Sequence, residues 1–257
     1  MPKSITIPAL VAAVFGLALS LASSALAVTY KVSFHGLWNA SQVNLSALPP
    51  GAHFTQLVGA THVAGATFWT PGTPASPGVE AVAEDGNPFP LLQEVTPAVN
   101  AGDLGGFITV ADIYTFPSTT TSTFEITEAH PRVSLISMVA PSPDWFVGVS
   151  EVALYNGTSW VPQLSIDLTP WDAGTEDGNA FDLSNPPTSP QGVIANVFDS
   201  PFIGQPVIAR VEFELLTPLP PSAPEVAVPL GVWPMTILGL LLSAGGAVAS
   251  RSRLARR

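Results

Sequence analysis

The stretch Pro141-Ser-Pro-Asp-Trp-Phe-Val-Gly-Val-Ser150 (PSPDWFVGVS) joins two apolar runs, RVSLISMVA at 132–140 and FVGVSEVALY at 146–155. Runs of this length bounded by turn residues read as β-strands. The prolines explain a turn between them. They do not explain why Asp144, a carboxylate, stands between Pro143 and the large indole of Trp145.

Working outward, the same pattern recurs. VTYKVSFHG (28–36) alternates, with Tyr30, Val32 and Phe34 on one face. HFTQLVGATH (53–62), GFITVADIYTF (106–116) and PVIARVEFELL (206–216) are further candidate strands. In the last, Val207, Ala209, Val211 and Phe213 share a face, with Arg210 and Glu212 opposite. FPSTTTSTF (116–124) reads as a polar loop or sheet edge. In ASPGVEAVAEDG (75–86), Ser76 stands at an N-cap, Pro77 at the first helical position, Glu80 in the first turn and Gly86 at the close. The fold class is therefore all-β, an antiparallel β-sandwich with one or two short helices.

The two ends of the chain read differently. Residues 1–27 have an early Lys3, an apolar run and an Ala25-x-Ala27 site, the form of a secretory signal peptide. Residues 217–229 are a proline-rich linker. Residues 230–249 are uncharged and long enough, at about 1.5 Å per residue, for a transmembrane helix. Residues 250–257 hold Arg251, Arg253, Arg256 and Arg257, a basic tail expected to stay cytoplasmic. The expectation is an exported protein, anchored with residues 28–216 outside or processed and released.

Between these ends, Lys31, Arg132 and Arg210 are the only basic residues, against 18 acids. The balance, 3 minus 18 or −15, excludes charge-driven binding of nucleic acid or anionic lipid and favours cations. The chain has no cysteine, so neither a disulfide framework nor a thiol nucleophile is available. Gly148 and Ser150 lack the second glycine of a nucleophile elbow. His35, His53, His62 and His130 lack paired zinc-ligand spacing.

The carboxylates carry more information. DLTPWDAGTEDG (167–178) gathers Asp172, Glu176 and Asp177 around Gly174 and Gly178. Calcium takes six to eight oxygen ligands from a backbone able to curl, which glycines permit. The spacing is not that of an EF-hand. Alone, such a loop reads first as a solvated turn rather than a cation site, and Asp144 as a turn residue or cap. Together the two segments repeat a theme, Pro143-Asp144-Trp145 and Pro170-Trp171-Asp172.

MVAPSPDWFVGV (138–149) followed by LYNGTSWVPQLSIDLTPWDAGTEDG (154–178) resembles the spondin domain family, the F-spondin and mindin N-terminal type. The resemblance extends to 53–62, Phe68-Trp69, 75–86 and 206–216, nearly all of 28–216. It implies a C2-like sandwich and a divalent cation, usually Ca2+, held by three loop aspartates. These fall on Asp144, Asp172 and, four residues later, Glu176. Glu176 departs from the family's aspartate, and the adjacent Asp177 is the alternative ligand. In this reading the prolines fix the loop, Trp145 packs it down and Asp144 faces the cation. Animal members have cysteines here; this chain has none. The tail, with Pro224-Glu225-Val226, the apolar run and the arginines, is similar to the PEP-CTERM bacterial sorting class.

The resemblance points to a bacterial-type, calcium-binding surface or adhesion module without enzymatic activity. An extracellular glycan or surface protein is the expected partner, and the C-terminal helix the membrane contact. The alternative is a secreted, glycosidase-like hydrolase using Asp144 and Asp172 as paired carboxylates.

Overall fold

The computed structural model describes residues 27–198 and 200–216. The expected signal peptide, except Ala27, and the linker, transmembrane and tail segments lie outside the described residues. Among the described residues no helix is long and apolar enough to cross a membrane.

Eleven strands, two α-helices and a one-turn 3-10 helix at Ala40–Gln42 are found among those residues. The strands are β1 (Val28–Gly36), β2 (His53–Phe54), β3 (Leu57–His62), β4 (Leu104–Val110), β5 (Ser118–Ile126) and β6 (Arg132–Ala140). They continue as β7 (Trp145–Ala153), β8 (Gln163–Leu168), β9 (Trp171–Asp172), β10 (Ala195–Asn196) and β11 (Ala209–Leu215). The helices are α1 (Pro77–Asp85) and α2 (Phe89–Ala101), between β3 and β4. One sheet has the order β5-β1-β11-β8; the other runs β10-β9-β7-β6-β3-β4, with β2 also pairing β6. Every pairing is antiparallel.

The sheets pack face to face. Tyr30, Val32 and Phe34 of β1 and Val211 and Phe213 of β11 meet Leu135, Val147 and Val149 of the second sheet. This is the period-2 face expected of half-buried strands. The second sheet is covered on its other face as well. Ile136 of β6 and Phe146 of β7 join Val79, Val82 and Ala83 of α1 and Leu91 and Val95 of α2 in a second cluster. Alternate residues of β6 and β7 thus enter different cores, which is why these strands read as continuous apolar runs rather than alternating ones.

The helix α1 has the caps its sequence announces. Ser76 Oγ accepts from the Val79 N–H at 3.3 Å, and Gly86 closes the helix at φ 64°. The helix α2 follows immediately and carries Pro97 inside it. Its Glu94 Oε2 accepts from the Gly78 N–H at 2.7 Å, placing a carboxylate at the start of α1.

Candidate cation site

The segment Pro141–Asp144 turns the chain between β6 and β7. Ser142 Oγ accepts from the Trp145 N–H at 3.0 Å, fixing the turn from within. Trp145 is buried against Phe181 and Phe202, with ring centroids 5.5 Å away in each case. Its packing holds the residue before it, Asp144, inside the molecule.

The second segment arrives by strand pairing. The short strand β9 lies antiparallel to the start of β7, with Asp172 opposite Trp145 and Trp171 opposite Phe146. The chain then curls. Asp172 Oδ1 accepts from the Gly174 N–H at 2.7 Å. Gly174 has φ +75°, and a Cβ there would lie 2.8 Å from the Gly192 carbonyl carbon. Only glycine combines that conformation with that approach. The Gly192 N–H donates to the Gly174 carbonyl at 2.8 Å, pinning the curl.

This curl aims backbone donors at Asp144. Its Oδ2 accepts from the Thr175 N–H at 2.6 Å, the Thr175 hydroxyl at 3.2 Å and the Glu176 N–H at 3.2 Å. Its Oδ1 has no hydrogen-bond partner and cannot turn to water instead, since Asp144 is 0% exposed. A buried carboxylate oxygen without a donor is costly, and a cation is one way to satisfy it. Burial raises the Asp144 pKa, against the lowering effect of its donors.

Asp172 is pushed up to about 6 by burial and by the charge of Asp144, against the Gly174 N–H and the indole of Trp145. That indole N–H does not close to hydrogen-bond distance of any acceptor, so it acts on Asp172 from slightly farther away. The Glu176 pKa is raised by burial and then by Glu84; its carboxyl also meets Asn185, and Asp144 adds repulsion. Asp177 turns elsewhere, its Oδ1 accepting from the Thr188 hydroxyl at 2.7 Å at an exposed position. Three of the four sequence-identified acids, Asp144, Asp172 and Glu176, therefore share one neighbourhood, and Asp177 faces a different partner.

Among the described residues no three acidic or histidine side chains already stand converged on a common ion position. The donor set still suits a hard cation: carboxylates, one of them with a buried free oxygen, on a glycine-containing loop. Among the described residues the lysine and arginine side chains are engaged elsewhere. Lys31 pairs with Glu214, Arg132 with Glu151 at 3.4 Å, and Arg210 with Asp167 at 2.6 Å.

Sequence reading missed Glu84, on the last turn of α1. Burial raises its pKa, the Thr175 hydroxyl lowers it, and Glu80, Asp144 and Asp85 raise it further. No local spacing links a helix residue to a loop 91 positions on; only the packing of α1 on the second sheet does.

Fold and site together define an antiparallel sandwich module whose acidic chemistry is concentrated in interstrand loops. The chain belongs to the spondin N-terminal domain family: the family described as Spondin_N matches residues 28–202. It is similar to human spondin-2, 32% identical over 186 residues, covering 70% of this chain and 56% of that protein. Rat spondin-2 is 34% identical over 173 residues, covering 65% of this chain and 52% of that protein. Rat spondin-1 is 31% identical over 171 residues, 63% of this chain but 21% of that protein. The chain thus spans about half the length of the spondin-2 relatives and about a fifth of spondin-1.

Proposed function

We propose that this is an exported calcium-binding spondin-domain protein serving as a cell-surface or extracellular binding module. The observation that carries the reading is Asp144: one carboxylate oxygen takes three donors, the other is buried without any, and Asp172 and Glu176 stand beside it. Calcium supplies the missing positive charge, and the loops that hold it form a rigid surface for a partner. A glycan or surface protein is the class of partner suited to a C2-like sandwich module of this charge. Export through residues 1–27 and anchoring through residues 230–249, with PEP-CTERM-like sorting, belong to the same proposal.

The hydrolase reading has one favourable observation, the Asp172 pKa near 6, where a carboxyl can act as a general acid. The complete burial of Asp144 weighs against it, since a catalytic carboxyl must reach its substrate. The reading we favour is therefore non-enzymatic. The test is a thermal melt of the purified whole chain in EDTA and after calcium re-addition, with a parallel glycan-cleavage screen. Calcium should raise Tm. An unchanged Tm would refute the calcium site, and turnover independent of calcium would favour the hydrolase.

A further inference from the structure

The outer edge of β7 is open over most of its length. The strand β9 pairs only with Trp145 and Phe146, and β8 belongs to the other sheet. Between the free part of β7 and the edge of β8 lies a cleft of about 460 Å³, within the ~300–1,000 Å³ usual for small-ligand sites. A β-bulge shapes it. Val133 pairs with Val152 and Leu135 with Val149, so Ser134 faces both Ser150 and Glu151. Among the described residues Glu151 is the only non-glycine residue with a positive φ, 61°. Its N–H donates to Ser134 Oγ at 3.0 Å, and its carbonyl accepts from Arg132 Nη1 at 2.9 Å. The carboxylate is held as well: Oε1 accepts from the Gly65 N–H at 3.0 Å, and Oε2 stands 3.4 Å from Arg132. Strain of this kind persists where the surroundings impose it, and it gathers at ligand sites. The Glu151 side chain remains 30% exposed and lines the cleft. Beside it stands Trp171, half-buried, its ring edge-on to Trp69 with centroids 5.7 Å apart. The Trp69 indole N–H donates to the Leu135 carbonyl at 3.3 Å, which fixes the backing ring.

We propose that this cleft binds a neutral oligosaccharide, stacked on Trp171 and held through its hydroxyls by Glu151. The inference deepens the binding-module reading above by choosing its partner class, and it does not depend on calcium. A pyranose ring has an apolar C–H face, which an indole covers, and a rim of hydroxyl donors, which a carboxylate accepts in charge-assisted bonds. The cleft's two charged residues, Glu151 and Asp167, are both acids, so sulfate and uronate groups are repelled. An extended peptide fits less well. Strand addition needs a regular ladder edge, and the bulge at Glu151 interrupts the edge of β7.

The test probes the whole chain, kept in a detergent without a sugar headgroup, against three arrays: neutral oligosaccharides, sulfated and uronate oligosaccharides, and random peptides. Binding should be confined to the neutral array. The best neutral binder is then titrated by tryptophan fluorescence. Glu151→Gln keeps an acceptor for the Gly65 N–H and should weaken binding roughly ten-fold, the size of one lost charged hydrogen bond. Trp171→Ala should weaken it by about ten-fold or more, as loss of an aromatic anchor does. Tyr114→Ala removes an aromatic side chain that is 67% exposed outside the cleft and should leave affinity unchanged. If Trp171→Ala does not fold, Glu151→Gln decides alone. Affinity unchanged in a folded Glu151→Gln would overturn the proposal, as would binding confined to the acidic or peptide arrays. No binding to any neutral oligosaccharide by a chain whose Tm still rises with calcium would overturn this inference and leave the calcium site standing. Neutral-glycan binding lost in Glu151→Gln, with no calcium response in wild type, would uphold the cleft and remove the calcium site.

Discussion

At Asp144 the two carboxylate oxygens have opposite surroundings, and this separates what charge does there from what shape does. The neutral isostere in Asp144→Asn keeps an oxygen for the Thr175 and Glu176 donors while removing the buried charge. Since burial disfavours that charge, Asp144→Asn should melt at or above wild type in EDTA and lose most of the calcium response. Asp172→Asn should likewise lose it. Asp167→Asn should keep it, because it removes only an exposed pair with Arg210, worth at most about 1 kcal/mol. Equal loss in all three would mean diffuse screening. At the third position the geometry favours Glu176→Gln as the damaging change and Asp177→Asn as the silent one, since Asp177 is held by Thr188. The pH dependence follows with a definite sign. Asp172 rises from 3.8 to about 6 on folding, so its protonated form is favoured in the fold. That contribution is complete below about pH 4 and lost as pH rises through 6. The full shift corresponds to about 3 kcal/mol, and screening at its exposed edge leaves about 1–2 kcal/mol. Without calcium, Tm should fall from pH 5 to pH 7; with calcium, which needs the ionised acids, it should rise over the same interval. Melting curves in EDTA and in calcium that run parallel would count against the site.

At the scale of elements, the curl after β9 governs whether the donors reach Asp144. Gly174→Ala adds a Cβ 2.8 Å from the Gly192 backbone at φ +75°. A left-handed non-glycine residue costs about 1–2 kcal/mol before any clash, so this variant should lose more than 2 kcal/mol and weaken calcium binding together. Gly157→Ala has φ +93° with nothing within 4 Å. It should cost about 1 kcal/mol and leave calcium binding unchanged, which denaturant titration and calorimetry would resolve. Much at this scale was legible in the sequence. The strands β6 and β7, the inward face of β11 and both caps of α1 follow from periodicity and capping chemistry. The polar run at 116–124 is largely an edge strand, as its alternatives allowed: β5 pairs only with β1 within its sheet. The helix α2 was hidden because Pro90 and Pro97 interrupt its pattern, although its neighbours in the second core stabilise it regardless. The run at 53–62 divides into β2 and β3 at Thr55 and Gln56; the Thr55 N–H still donates to the Met138 carbonyl at 3.3 Å, but its Oγ1, not its carbonyl, accepts from the Met138 N–H, at 3.1 Å.

At the scale of the molecule, a chain with no cysteine rests on its two cores and on whatever the site binds. If calcium binds as proposed, a hundred-fold excess over Kd should contribute about 2.7 kcal/mol, equivalent to roughly 5–11 °C in Tm for a domain of about 190 residues. The boundaries of the folding unit make a sharper prediction. The family match ends at 202, yet β11 lies beyond it, at Ala209–Leu215, between β1 and β8 in the middle of the four-stranded sheet. Tyr30 pairs with Leu215 and Ile166 with Val211, so the first and last strands close the sheet on one another. Removing β11 would strip β1 and β8 of a shared partner and leave the sheet as the pair β5-β1 with β8 detached. It would also take Val211 and Phe213, both fully buried, out of the main core. Losses of about 3–5 kcal/mol for one large core side chain already approach the usual stability of a domain. Residues 28–216 should therefore fold alone, with a cooperative melt and a calcium response matching the whole chain. Residues 28–202 should show no cooperative transition and should aggregate or stay expanded in size-exclusion chromatography. A cooperative, calcium-sensitive melt from the shorter piece would mean that the second sheet and its helices fold without the first, and that the sandwich is not one thermodynamic unit.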